Sequence, residues 1–322
     1  MASHEAPRIP TTAPRLWAVV VTYFPDLQHL RLLLARLHGQ HASVVVVDNA
    51  SSLPASFCSE RADLPHPAAL HWIHNATNRG IGAAQNQGIE HALAEGADFV
   101  TLLDQDSLPH TDMLQHLLAA WQRLTDTGRS VFAVGPRLVD PTSEATVPFI
   151  SYRHGLKQRS FTHGDEAEIE CFSLLASGTT VHRSALETVG PLDESLFLEY
   201  VDVEWGARAR ARGLFSFGVP RASMQHRLGD ARVHVAGRLY LPMHSALRHY
   251  YSFRNAVLMQ KRSYVPLSWK LADLLRCLAT APLFVLFGGN AREQAKMILM
   301  GAWHGLAGRS GSLADVQAAK TR

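Results

Sequence analysis

Two hydrophobic periods alternate along the first half of the chain. Uninterrupted apolar runs of strand length occupy residues 18–21, 44–47 and 99–103, and helical spacing fills the stretches between them. That alternation predicts an α/β architecture with a mainly parallel sheet. Leu27, Leu30, Leu33, Leu34 and Leu37 form one apolar stripe, with Pro25 before it and Gly39 after it, so a helix is expected there, packed on a sheet face. A second helix is expected over 82–95, ending at Gly96, and a third over 111–124 after Pro109. Between 136 and 170 turn residues break both periods and no element can be placed. Residues 196–212 read as one helix, and 269–307 read as two amphipathic helices separated near Gly288 and Gly289.

Composition narrows the class. Of 322 residues 47% are hydrophobic and 18% charged, enough apolar material for one large domain with an appendage. The formal net charge is +3 and the Lys and Arg residues are scattered, which argues against a nucleic-acid partner. Cys58, Cys171 and Cys277 are odd in number and lack metal-ligand spacing, so a reducing, cytoplasmic setting fits better than a disulfide framework. Residues 1–14 have no apolar segment of the secretory kind and read as a flexible tail. The most apolar C-terminal run, 277–289, has thirteen residues, against the roughly 20 a membrane-spanning helix requires.

Chemistry concentrates where predicted strands end. One strand runs into Asp48-Asn49 and another into Asp104-Gln105-Asp106. In open α/β sheets the carboxyl ends of the strands are the ligand-binding edge. Asp48 can accept the imide N–H of uracil or thymine, or can cap its own loop. Two carboxylates one residue apart can share a hard divalent cation, Mg²⁺ or Mn²⁺, with a diphosphate. Between them Asn78-Arg79-Gly80 opens a glycine-bearing turn in which Arg79 can meet a phosphate; it matches neither a dinucleotide fingerprint nor a P-loop.

The order Thr22-Tyr23, Asp48-Asn49, Asn78-Arg79-Gly80, Asp104-Gln105-Asp106 resembles glycosyltransferase family 2, whose members have the GT-A fold. Phe197-Leu198-Glu199-Tyr200-Val201-Asp202-Val203-Glu204-Trp205 resembles the acceptor-side acidic motif of the family's bacterial rhamnosyltransferases. Gln225-His226-Arg227-Leu228-Gly229-Asp230, Tyr250-Tyr251-Ser252-Phe253-Arg254-Asn255 and the segment from Trp303 to Arg309 are similar to that subgroup too. Leu102 to Ser107 and Ala176-Ser177-Gly178 look most like its rhamnolipid-forming members.

The resemblance implies an inverting, metal-dependent enzyme that moves L-rhamnose from dTDP-L-rhamnose to a glycolipid, with a mono-rhamnolipid as acceptor. Its alternatives are a lipid-linked O-antigen or exopolysaccharide acceptor, or a subunit that binds nucleotide-sugar without catalysis. Residue by residue it implies donor binding by Thr22, Tyr23, Asp48, Asn78, Arg79, Asp104 and Gln105, and metal binding by Asp106 and His226. Asp202 becomes the catalytic base, with Ser177, Gly178, Glu199 and Glu204 on the acceptor side. The family more often has Glu directly before the base, where Val201 stands here. On a helix Glu199 and Asp202 would share a face at i, i+3 while Glu204 points elsewhere, to orient the base or cap structure.

The organisation then expected is a GT-A domain over 15–262, with donor half 15–135 and acceptor half 136–262, followed by a C-terminal helical region over 263–322. The apolar C-terminal faces with Lys261, Arg262, Lys270 and Arg276 predict peripheral contact with the inner face of the cytoplasmic membrane; the alternative is packing on the catalytic domain or a homo-oligomer contact. Arg248, Arg254, Lys261 and Arg262 among Tyr250, Tyr251 and Tyr264 read either as an anion site or as a solvated helix face.

Overall fold

A computed structural model describes residues 14–59, 70–141, 144–153, 156–164, 166–226, 231–236 and 239–318. The expected N-terminal tail (but for Pro14) and Arg227, Leu228, Gly229 and Asp230 of the His226 segment lie outside these residues.

The first half unfolds as β1 (Leu16–Thr22), α1 (Leu27–His38), β2 (Ser43–Asp48), α2 (Ala55–Ser59), β3 (Leu70–His74), α3 (Ile81–Ala94) and β4 (Phe99–Asp104). Strands β3, β2, β1 and β4 lie side by side, all parallel. Every residue of β1 is buried, as required of a parallel strand covered on both faces. Its alternate side chains divide between two cores. Ala18 and Val20 meet Leu30, Leu33 and Leu37 of α1, whereas Trp17, Val19 and Val21 meet Ala84, Ile89 and Ala92 of α3. Asp26 caps α1 by accepting from the N–H groups of Gln28 and His29. Helix α3 approaches β1 so closely that a Cβ on Gly88 would lie 2.3 Å from Val19 Cγ1.

The chain continues through β5 (Leu108–Pro109), α4 (Met113–Asp126), β6 (Val131–Val139), β7 (Phe149–Arg153), β8 (Leu156–Ser160), β9 (Ile169–Cys171), β10 (Thr180–His182), α5 (Arg183–Val189), α6 (Val201–Ala211) and β11 (Phe215–Gln225). Strand β10 runs antiparallel between β4 and β6, β6 pairs with β11 in parallel, and β5 and β9 flank β11 antiparallel. The result is a nine-stranded, mostly parallel sheet with helices on both faces, the fold class the alternating periods predict. A hairpin of β7 and β8 and the short β9 fill the stretch that sequence could not place. Strand β8 carries Lys157, Gln158 and Arg159 and has no apolar period; ladder pairing alone defines it.

After the β12 (Ala231–Ala236) and β13 (Leu239–Met243) pair come α7 (Ala246–Gln260), α8 (Leu267–Phe287), α9 (Ala291–Leu306) and α10 (Leu313–Ala318). The break between α8 and α9 falls at Gly288 and Gly289, as expected, with Asn290 capping α9. Helix α7 packs its Phe253 and Ala256 against Cys277 and Phe284 of α8 and Ile298 of α9. Among the described residues no helix is long and apolar enough to cross a membrane.

Candidate active site

Register places three acidic or hydroxyl side chains on one edge. Thr22 aligns with Asp48 across β1 and β2, and Val21 aligns with Asp104 across β1 and β4. Asp48 is buried and accepts from the Thr22 hydroxyl at 3.1 Å and from the Ser51 N–H at 3.2 Å. It therefore does cap its loop. A cavity of about 530 Å³ opens beside it, lined among the described residues by Leu53, Ala55, Cys58, Trp72 and His74. His74 Nδ1 lies 3.8 Å from Asp48.

The next residue, Asn49, organises the following turn. Its buried amide donates to Asn78 Oδ1 at 2.9 Å and accepts from the Arg79 N–H at 3.0 Å and from Asn75 at 3.2 Å. Asn78 Oδ1 also accepts from the Gly80 N–H, so that oxygen is committed to the turn. The Arg79 side chain is exposed and, among the described residues, has no hydrogen-bond or ion-pair partner. Gly80 has φ +85° at the start of α3, and a Cβ there would lie 2.5 Å from the Phe197 carbonyl oxygen. Only glycine fits.

Strand β4 delivers Asp104 and Asp106. Atoms of Asp104, Asp106 and His226 lie within 4.8 Å of one another, and His226 Nδ1 is 3.6 Å from Asp106. Two carboxylates and one imidazole suit a divalent cation such as Mg²⁺ or Mn²⁺. Burial, with Asp106 beside it, raises the Asp104 pKa above the ordinary carboxylate value, against the pull of His226 and Arg248. Gln105 is committed elsewhere: it accepts from the Tyr23 N–H at 2.6 Å and donates to the Tyr23 carbonyl at 3.1 Å. Tyr23 itself is exposed. Ser177 Oγ accepts from the Asp104 N–H at 3.1 Å and bonds the Ser107 hydroxyl, which lies 3.3 Å from His226 Nδ1. The adjacent Gly178 adopts φ +85°, and a Cβ there would meet Pro136 Cγ at 2.5 Å. Thus Ser177 and Gly178 brace the cluster.

The acceptor-side motif differs from its sequence reading. Helix α6 begins at Val201, not near 196; residues 194–196 form a single 3₁₀ turn, and Phe197, Glu199 and Tyr200 have φ +64°, +52° and +65°. Glu199 is thus outside the helix, and its pairing with Asp202 on a helical face is overturned. Left-handed φ values at non-glycine residues each cost roughly 1–3 kcal/mol, so surrounding contacts must enforce them. Glu199 is ion-paired with Arg248 at 2.7 Å. Asp202, in the first turn of α6, accepts from the Val203 N–H at 2.8 Å. Its pKa is pushed up to about 6, first by burial and then by Glu199 and Asp104. Glu204 is 1% exposed and spends its carboxylate on Arg208 and Tyr264.

The Arg and Tyr group near 250 does not form one surface. Arg254 is fully buried and donates to the carbonyls of Leu196 and Gly311; Lys261 caps α9 through the carbonyls of Gly305 and Leu306; Arg262 pairs with Asp193. Arg254 is an internal fastener, whereas Lys261 is exposed and Arg248 and Arg262 are partly buried in ion pairs. Sequence reasoning gave no individual role to Asn49, Ser107 or Asn255, though each stands in a segment similar to the family, and it took Arg254 for an anion site or a solvated face.

The carboxyl edge of a parallel sheet, a cation-ready trio and a carboxylate across from it define a nucleotide-diphospho-sugar transferase of the GT-A fold. A profile of the Glycosyl transferase family 2 matches residues 18–188, and the chain belongs to that family. It is 31% identical over 297 residues to the dTDP-rhamnosyl transferase RfbF of Shigella flexneri, covering 92% of this chain and 97% of that protein. It is 25% identical over 215 residues to the low-salt glycan biosynthesis hexosyltransferase Agl10 of Haloferax volcanii, 61% of this chain and 62% of that one. Among solved structures, the mannosyltransferase PcManGT from Pyrobaculum calidifontis in complex with GDP-Man and Mn²⁺ superposes with a TM-score of 0.55 at 17% identity, covering 92% of this chain and 88% of that one. S. aureus TarS 1-349 with UDP-GlcNAc gives 0.57 at 14%, with 92% of each chain covered.

Proposed function

We propose that the protein is an inverting, metal-dependent rhamnosyltransferase that moves L-rhamnose from dTDP-L-rhamnose to a glycolipid, with a mono-rhamnolipid as acceptor. The observation that carries the reading is the Asp104, Asp106 and His226 trio facing Asp202, on a chain similar over nearly its whole length to a dTDP-rhamnosyl transferase. Asp48 accepts the pyrimidine imide N–H beside the cavity, and Arg79 meets the diphosphate. Asp104, Asp106 and His226 would hold Mg²⁺ or Mn²⁺, which supplies positive charge to the departing diphosphate. Asp202 takes the proton of the acceptor hydroxyl as its oxygen bonds to the anomeric carbon and the bond to the diphosphate breaks on the opposite side.

The reading places the enzyme at the inner face of the cytoplasmic membrane. Leu267, Leu271, Leu274, Leu275, Leu278 and Leu286 of α8 are exposed, and Arg292 and Lys296 of α9 are exposed too, a pattern suited to an anionic interface. The test is mass spectrometry of products from purified protein given dTDP-L-rhamnose, dTDP-glucose or UDP-glucose with mono-rhamnolipid or polyprenyl-diphosphate sugar acceptors. Transfer of one rhamnose to mono-rhamnolipid is expected. Transfer only to the polyprenyl acceptor changes the acceptor, and turnover of UDP-glucose alone overturns the donor.

A further inference from the structure

The turn 197–200 is strained on its own account and is held by side chains from α7 and α8. Asn255 Nδ2 lies within hydrogen-bond reach of three carbonyls of the approach to α6: Leu196 at 2.9 Å, Leu198 at 2.6 Å and Glu199 at 2.8 Å. Arg254 Nη2 donates to the Leu196 carbonyl at 2.7 Å, while its Nε donates to Asn255 Oδ1 at 2.9 Å and fixes which way that amide faces. Tyr200, the last residue before α6, donates its hydroxyl to the Asp273 carboxylate at 2.9 and 3.0 Å, and Arg276 bonds both. The Phe197 ring stacks on Tyr251 at 5.0 Å.

The arrangement is more than generic packing. Asn255 and Arg254 are fully buried, and among the described residues no carboxylate pairs with the Arg254 guanidinium; peptide carbonyls and the Tyr250 and Tyr251 rings surround it. A buried cation aimed at backbone is expensive unless its geometry is needed. The carbonyls that Asn255 holds end at Glu199, two residues before Val201, and the Tyr200 carbonyl accepts the Glu204 N–H that opens α6. The first turn of α6 carries Asp202, and the far side of the same loop closes on the donor half through the Ile81 N–H and the Phe197 carbonyl at 2.7 Å.

We propose that Tyr200, Asn255 and Asp273 are positioning residues for transfer: the α7–α8 layer aims the Asp202 carboxylate at the acceptor hydroxyl by locking the left-handed turn before α6. The inference rests on Asp202 being the base, and is independent of which sugar is transferred. None of the three touches the donor trio, so their loss should leave donor binding alone. Misplacing a catalytic group by about 1 Å costs on the order of 10²-fold in rate.

The test compares wild type, Tyr200→Phe, Asp273→Glu and Asn255→Ala, well below the melting temperature of each, in kcat, acceptor KM and dTDP affinity by calorimetry. Tyr200→Phe is the mild variant and keeps the ring; it is expected to lower kcat tenfold to a hundredfold with dTDP affinity within twofold of wild type. Asn255→Ala, where folded, should match or exceed that loss, and Asp273→Glu, which keeps an acceptor for the hydroxyl, should recover part of it. A kcat within twofold of wild type in Tyr200→Phe, or a parallel loss of dTDP affinity, overturns the proposal. Wild-type protein that turns over no sugar nucleotide counts against the proposed function; the positioning idea is then read from 13C titration of the Asp202 carboxyl, whose midpoint Tyr200→Phe should move and a purely structural tyrosine should not.

Discussion

The proposed donor and acceptor sides of the site are built by different means. On the donor side, Asp48 and Asp104 stand where valine- and leucine-rich strands end, and parallel register alone aligns them. On the acceptor side, Glu199 lies within, and Asp202 follows, a turn with left-handed φ values that local sequence disfavours, kept in place by partners such as Arg248, 49 positions on from Glu199, and Asp273, 73 positions on from Tyr200. A site edge inherited from a sheet is robust, because many ladder bonds define it. A site edge built from side-chain bonds to backbone is adjustable, and single substitutions can move it.

The comparison is tested hardest on the donor side. Asp106→Ala and His226→Ala each remove one member of the trio and are expected to abolish metal-dependent turnover, since the leaving diphosphate then lacks its counter-charge. Both variants should retain the wild-type melting transition within a few degrees, because Asp106 is partly exposed and the sheet register is independent of it. Metal titration of initial rates checks this. Full activity of Asp106→Ala in EDTA would dissolve the assignment of that edge.

On the acceptor side the sharper contrast lies within one helix turn. Asp202→Asn is expected to bind the donor nucleotide normally and to lose roughly 10²–10⁴-fold in transfer rate, because an amide cannot take the acceptor proton. Glu204→Gln should do the opposite. Its buried carboxylate serves Arg208 and Tyr264, so the loss is in stability, roughly 1.5–3 kcal/mol for a hydrogen bond to a charged group, read from denaturant midpoints. If Glu204→Gln loses rate as Asp202→Asn does and keeps its stability, the two roles must be exchanged.

The same contrast explains what could be read from sequence. Strands β1, β2 and β4, helices α1, α3 and α4 and the break at Gly288 declare themselves because each depends on residues within a dozen positions. The acidic strand ends came with them. The start of α6 did not, since Leu198-Glu199-Tyr200 has ordinary helical composition and is diverted by partners distant in sequence, among them Asn255, Arg248 and Asp273. Arg254 looked like a free cation because nothing in Tyr250-Tyr251-Ser252-Phe253-Arg254 says that the helix is covered by α9 and that its arginine faces inward. The resemblance to family 2 points to Asp202 as the base without explaining what holds it.

The smallest expected effect is the pH response of that held carboxylate. Burial first, then Glu199 and Asp104, raises Asp202 from the ordinary aspartate value of 3.8 to about 6. A base works deprotonated, so kcat/KM should climb as pH rises through about 6 and level off above it, falling close to tenfold per unit on the acid side. Stability has the opposite sign: a carboxyl whose pKa is raised on folding favours the native state while protonated, and that contribution is lost as pH rises from about 4 through about 6. Asp202→Asn should therefore melt higher than wild type at pH 7.5 and about equally at pH 4, while the acid limb disappears from its residual activity. A profile of kcat/KM that is flat from pH 5 to 8 in wild type, or an Asp202→Asn variant that melts lower at pH 7.5, would show that the carboxylate is neither held in that environment nor used as the base.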